Sequence, residues 1–151
     1  MAKNRTGEPW MPAPVYGRSL KGFGVNLLVK DMARALAFQT QVLGAAVVYA
    51  DADFAVVRAA GGEWMLHADH TYGEHPLLSL TGDGALRGAG VELRLHDQDP
   101  DAAEATARRL GYHVLAGAQD KPHGLREAYL VDPDGYVWVP DRAIGADEPQ
   151  P

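Results

Sequence analysis

Gly124-Leu125-Arg126-Glu127-Ala128-Tyr129-Leu130-Val131-Asp132-Pro133-Asp134-Gly135-Tyr136-Val137-Trp138-Val139-Pro140 is the stretch from which the rest of the chain can be read. It has the pattern of strand, tight turn, strand. In Asp132-Pro133-Asp134-Gly135, Pro133 pre-sets φ, Asp132 can bond its own backbone, and Gly135 accepts a positive φ. The flanking runs carry the Val, Tyr and Trp of half-buried strands. This reading pairs Val131 with Tyr136. It places Ala128, Leu130, Val137 and Val139 on one face, continued by Arg126. Pro140, which has no N–H to donate, is expected to end the ladder.

Working back from the hairpin, Val91 to Leu95 alternates as a strand. Asp97 to Asp101 caps a helix closed by Leu110 and Gly111, and Tyr112 to Leu115 is a short strand. Ala116 to His123 is a loop. The first half has the same grammar. Gly22 to Lys30 is a strand, and Asp31 caps a helix to about Leu43, stopped by Gly44. Val47 to Tyr49, Phe54 to Arg58 and Glu63 to Ala68 are strands. Gly24-Val25-x-Leu27-x-Val29-x-Asp31 matches Gly90-Val91-x-Leu93-x-Leu95-x-Asp97, and Leu43-Gly44 matches Leu110-Gly111. An internal repeat of this kind decides the fold. The expectation is α+β, two tandem β-α-β-β-β modules (about residues 20–69 and 88–142) whose curved sheets surround a central trough. Asp69 to Arg87 is the linker between them. The domain spans 19–143, with a flexible arm over 1–18 and a flexible tail over 144–151. Pro9, Pro12 and Pro14 argue against regular structure in the arm. Its Trp10 and Tyr16 suggest either a disordered leader or an arm laid on a neighbouring subunit.

Composition narrows the function classes. The 151 residues are 46% hydrophobic with formal net charge −6, so there is no basic footprint for nucleic acid. Without cysteine there is no disulfide, thiolate nucleophile or zinc-thiolate site. No apolar run approaches membrane-spanning length and no signal peptide is visible, so a cytoplasmic protein is expected.

The repeat together with the hairpin resembles the glyoxalase / bleomycin resistance protein / extradiol dioxygenase superfamily, the vicinal oxygen chelate fold. The resemblance covers about residues 20–142. Its metal-dependent members hold a divalent ion with four side chains on inner strand positions. Here those positions fall on Gly24, His67, Gly90 and Val139, so three of the four carry no ligating group. Gln39 also stands where many members have Tyr. A first-row metal needs several converging N or O ligands, so no metal and no cofactor is expected.

Strand alternation lists what the trough would present: Asn26, Leu28, Met65 and His67 from the first module, and Glu92, Arg94, Arg126, Val137 and Val139 from the second. His67 is either a lone sheet histidine or a proton-transfer group. Glu92 and Arg94 are either a solvated pair or part of a lined trough. Arg126 either faces a ligand or pairs with Glu127 or Asp134. Trp64, Tyr129 and Trp138 read as core, and the remaining histidines as surface or loop residues. The resemblance implies a protein, most simply a homodimer, that binds a small organic molecule in its groove without a catalytic metal. The alternative is a lactoylglutathione lyase-like or isomerase-type enzyme using His67 and Glu92 for proton transfer.

Overall fold

A computed structural model describes residues 4–145. After a short helix α1 (Ala13–Ser19) come β1 (Asn26–Val29), α2 (Met32–Gln41), β2 (Ala46–Ala50), β3 (Phe54–Ala59) and β4 (Gly62–Ala68). Two 3-10 turns, Asp69–Thr71 and Pro76–Leu80, occupy the linker. The second module follows: β5 (Glu92–Leu95), α3 (Pro100–Arg109), β6 (His113–Asp120), β7 (Leu125–Val131) and β8 (Val137–Ala143). Each module makes one four-stranded sheet, in the orders β1-β4-β3-β2 and β5-β8-β7-β6. In both, the first strand runs parallel to the fourth and the rest are antiparallel. The repeat seen in the sequence is thus a repeat of topology.

The caps are those the sequence supplies. Asp31 accepts from the Arg34 amide at the start of α2, and Asp99 accepts from the amides of Asp101 and Ala102 at the start of α3. The two modules share one core. Leu27, Val29, Phe38, Trp64 and Leu66 of the first meet Leu95, Ala107, Leu130 and Trp138 of the second. The indoles of Trp64 and Trp138 lie 5.2 Å apart at this seam. Gln39 is buried because its side-chain oxygen accepts from the Trp64 ring N–H at 3.0 Å. Polar bonds also cross between modules: the Asp134 carboxylate accepts from the Lys30 amide, and the Tyr136 hydroxyl donates to the Leu28 carbonyl.

Four expectations are corrected. The arm contains helix α1, because Pro14 sits in its first turn, where a missing N–H costs nothing. β6 runs on through most of the expected loop, with irregular register between Val114, Ala116 and Gln119. Pro140 does not end its strand; the β7–β8 register continues at Glu127–Asp141 and Arg126–Arg142 beyond it. The hairpin closes one residue later than read. The Asp132 amide donates to the Tyr136 carbonyl, and Val131 stands opposite Val137. A one-residue slip inverts a strand's faces. Leu130 and Trp138 therefore share the core face, while Val137 and Val139 lie with Glu92 and Arg94 on the other. Tyr129, expected in the core, moves to that second face. Most of the expected 144–151 tail lies outside the described residues; within them, the Ile144 amide bonds the Gly124 carbonyl.

Candidate functional site

In the first sheet, β1 and β4 set Asn26 beside Met65 and Leu28 beside His67, with Phe54 of β3 opposite His67. His67 is buried on this face. Its Nδ1 lies 2.5 Å from the Asn26 side-chain oxygen, and its ring contacts Phe54 at 4.7 Å and Tyr72 at 5.5 Å. The arm lies against the same face. Trp10 stacks on Tyr49 at 5.0 Å, and Tyr16 meets Phe54 edge-on at 5.4 Å. Its beginning is latched: Asp53, 1% exposed, accepts from the Thr6 amide at 2.8 Å and the Thr6 hydroxyl at 2.7 Å. His70 reaches the same carboxylate at 2.7 Å. Burial opposes the Asp53 charge, but these bonds outweigh it and hold the carboxyl below its ordinary value.

In the second sheet the corresponding face is ionic. Arg94 donates to Glu92 at 2.8 Å, to Asp141 at 3.0 Å and to Glu127. Glu127 and Asp141 are only 2% and 1% exposed. His96 bonds Asp141 at 2.8 Å, and His123 lies 3.4 Å from Glu127. Burial alone would lower the Arg94 pKa, but the three carboxylates outweigh it and raise it. Arg94 in turn holds the half-exposed Glu92 below the usual carboxylate range. One guanidinium against three carboxylates leaves this wall net acidic while the histidines are neutral.

Between the modules opens a cavity of about 1040 Å³. Its walls are largely apolar: Val25, Leu27, Trp64, Leu93 and Trp138 among them. Tyr16 and the segment 19–23 close one side. Of the side chains expected in the trough, Met65, Glu92, Arg94 and Val137 line this cavity. Asn26, Leu28, His67 and Val139 do not. His67 and Glu92 are thus not brought together there. Arg126 is corrected: it lies on the opposite face of β7, bonded to Asp101 of α3 at 2.7 Å and to Asp120 at 3.0 Å. Glu127 and Asp141 escaped notice because the slipped register hid the face they share. The arm's part in the wall had no local sequence signal beyond Trp10 and Tyr16.

The fold's metal positions do not fit an ion. Gly24, Gly90 and Val139 offer no donor, and His67 is turned to Asn26. Among the described residues no cluster of three or more His, Asp or Glu side chains is placed to hold a metal. No helix among them is long and apolar enough to cross a membrane.

A family model described as the Glyoxalase/Bleomycin resistance protein/Dioxygenase superfamily matches residues 24–139. No curated protein sequence matches the chain. Among solved structures it is similar to TioX from Micromonospora sp. ML1, at 23% identity and TM-score 0.59, covering 83% of this chain and 98% of that one. It is also similar to a glyoxalase/bleomycin resistance protein/dioxygenase family enzyme from Burkholderia phytofirmans PsJN. There the identity is 18% and the TM-score 0.65, covering 80% of this chain and 96% of that one. A glyoxalase-related enzyme from Fulvimarina pelagi gives 20% and 0.63, covering 85% and 95%. At these identities the likeness is one of fold.

Proposed function

The chain belongs to the glyoxalase/bleomycin resistance protein/dioxygenase superfamily, and from that premise we propose that it binds a small organic molecule between its modules without a catalytic metal. The observation that carries this reading is the cavity of about 1040 Å³, which wraps edge strand β5: Trp64, Trp138 and aliphatic side chains line it from the core face, and Glu92 and Arg94 reach it from the other face as its directional groups. A mostly apolar concave site with a few fixed polar groups is the usual make-up of a small-molecule pocket. Apolar walls supply affinity by excluding water. Arg94 is held in place by three carboxylates, so it is a rigid donor. Because those carboxylates outnumber it, the second-module wall suits an uncharged or cationic ligand group better than an anionic one.

Lyase chemistry of the metal-dependent kind rests on an ion that polarises substrate oxygens. The positions that would hold the ion lack donors here, and no step is assigned through one. The enzyme alternative pairs His67 with Glu92 for proton transfer, which requires both to reach one substrate; only Glu92 lines the cavity.

The setting proposed is cytoplasmic, and the protein a homodimer. Val47 and Val48 on edge strand β2 and Leu115 on edge strand β6 are exposed. Apolar sheet edges invite pairing with another chain.

A thermal-shift screen against metals, glutathione thioesters and aromatic antibiotics tests the reading, since a ligand that binds only the folded state stabilises it by mass action. Stabilisation by an organic ligand without metal is expected. Robust methylglyoxal–glutathione turnover with added Ni or Zn, abolished by both Glu92→Gln and His67→Ala, would replace this reading with the enzyme one.

A further inference from the structure

At the rim of the cavity stands a side chain that neither the core nor the repeat accounts for. Phe23 lines the cavity, yet it is 93% exposed. An exposed Phe is not in itself informative; its backbone is. Phe23 lies between Gly22 and Gly24. Gly22 has φ +68, and a Cβ built on either glycine would meet nothing within 4 Å. Neither glycine is there to let something pack close.

The internal repeat supplies the control. Gly22, Phe23 and Gly24 correspond to Gly88, Ala89 and Gly90. Gly88 is a packing glycine: a Cβ there would lie 2.7 Å from the Tyr136 Cα. Its counterpart Gly22 sits in open space. The aromatic side chain is also peculiar to the first copy, since the second has Ala89. The second module is thus built without a phenylalanine at this place, and its backbone there differs: φ is positive at Gly90, whereas in the first module it is positive at Gly22. The neighbourhood is lightly held. α1 buries no residue, and Leu20 beside the hinge is itself exposed. Few buried contacts mean a low cost of local movement.

We propose that Phe23 is a ligand-capping side chain, which turns on Gly22 and Gly24 to lay its ring over the exposed side of an apolar or aromatic molecule held in the cavity. The inference rests on the pocket reading above and adds to it the residue that closes the pocket and the flat, apolar character of what it closes on. Aromatic rings gain from offset or edge contacts with a flat ligand. The exposed ring is then one position of a two-position wall, of the kind small loop hinges permit.

The test uses full-length protein and the neutral naphthalene dye prodan, with dye emission giving affinity and Trp emission reporting on Trp10, Trp64 and Trp138 together. Phe23→Ala is expected to weaken dye binding about tenfold, as loss of a contact of roughly 1.4 kcal/mol would. Phe23→Tyr should keep near-parental affinity. Thermal midpoints of both variants should stay within about 2 °C of the parent, because the ring is exposed and unpacked. Dye binding by the parent with unchanged affinity in Phe23→Ala overturns the capping role and leaves the pocket reading intact. No dye binding by the parent removes the pocket reading and the cap with it. A parent dimer that Phe23→Ala converts to monomer makes Phe23 an interface anchor and overturns the proposal.

Discussion

Glu127 and Asp141 stand opposite each other across β7 and β8, both buried, and both accept hydrogen bonds from a single guanidinium, that of Arg94. Two like charges so placed are tolerable only while the cation between them stays. Arg94→Met should therefore destabilise the protein at pH 7 by about 3 kcal/mol, the lower end of the range for orphaning a buried charge, because Arg94 is itself partly exposed. Folded-state pKa values of Glu92 and Glu127 are depressed in the parent. Their contribution is present above the unfolded value near 4.5 and lost as pH falls through the folded one. The gap between parent and variant should accordingly shrink toward pH 4. Urea denaturation at several pH values checks this, and a gap that is independent of pH would contradict it.

Asp132 has the opposite sign. Its carboxylate accepts from the amides of Asp134 and Tyr136 and from the Trp138 ring N–H. Burial nevertheless pushes its pKa up to about 6. The folded state then holds a proton between about 3.8 and 6 that the unfolded chain has released, so this group costs stability as pH rises through that window. Asp132→Asn should remove that slope. It also turns an N–H toward an existing donor, a loss of about 1–2 kcal/mol that should show below about pH 4, where the parent Asp132 is protonated too, and shrink as pH rises through 6 and the parent takes on the buried charge. A pH series of melting midpoints for both proteins reads both effects.

Two glycines are fixed by close approach. A Cβ on Gly88 would lie 2.7 Å from the Tyr136 Cα, and one on Gly135, at φ +93, would lie 2.9 Å from the Leu86 Cα. Here the linker is pressed against the turn of the hairpin. Gly88→Ala and Gly135→Ala should each cost about 2 kcal/mol or more from overpacking. Gly73→Ala and Gly82→Ala, with open space around them, should be close to neutral. Equal losses in all four would refute the close packing.

The arm is held at its beginning by Thr6 on buried Asp53. Thr6→Val removes the hydroxyl donor and leaves the amide, at a cost of about 1 kcal/mol. Hydrogen exchange should speed up over residues 4–23 while β3 and β4 exchange as in the parent. Acceleration spread over both sheets would show that the arm is part of the global folding unit rather than a local one.

Much of this fold was legible because its signals are local and repeated: the matching strand–Asp–helix–Leu-Gly segments, the caps at Asp31 and Asp99, and the turn at Asp132–Gly135. What the sequence hid were consequences of register. Moving the closing pair from Val131–Tyr136 to Val131–Val137 exchanged the faces of β8 relative to β7. That single slip put Tyr129 in the core, set Arg126 in the trough and concealed Glu127 and Asp141. The arm's helix and contacts lack a local signal for a different reason. Proline at a helix's first turn is compatible with the helix, and the partners of Thr6 and Trp10 lie more than forty and about forty residues away, at Asp53 and Tyr49. Candidate residues on short alternating strands, such as Met65, Glu92 and Arg94, were placed in the cavity wall. His67 shares a face with Met65 but sits deeper, under Phe54 and beside Asn26.

Elemental analysis of protein purified without chelator asks whether the proposed site works without a resident metal. Well under one ion per chain is the predicted result, with organic-ligand binding unaffected by added chelator. A stoichiometric Ni, Zn, Fe or Mn that disappears in His67→Ala would contradict the account.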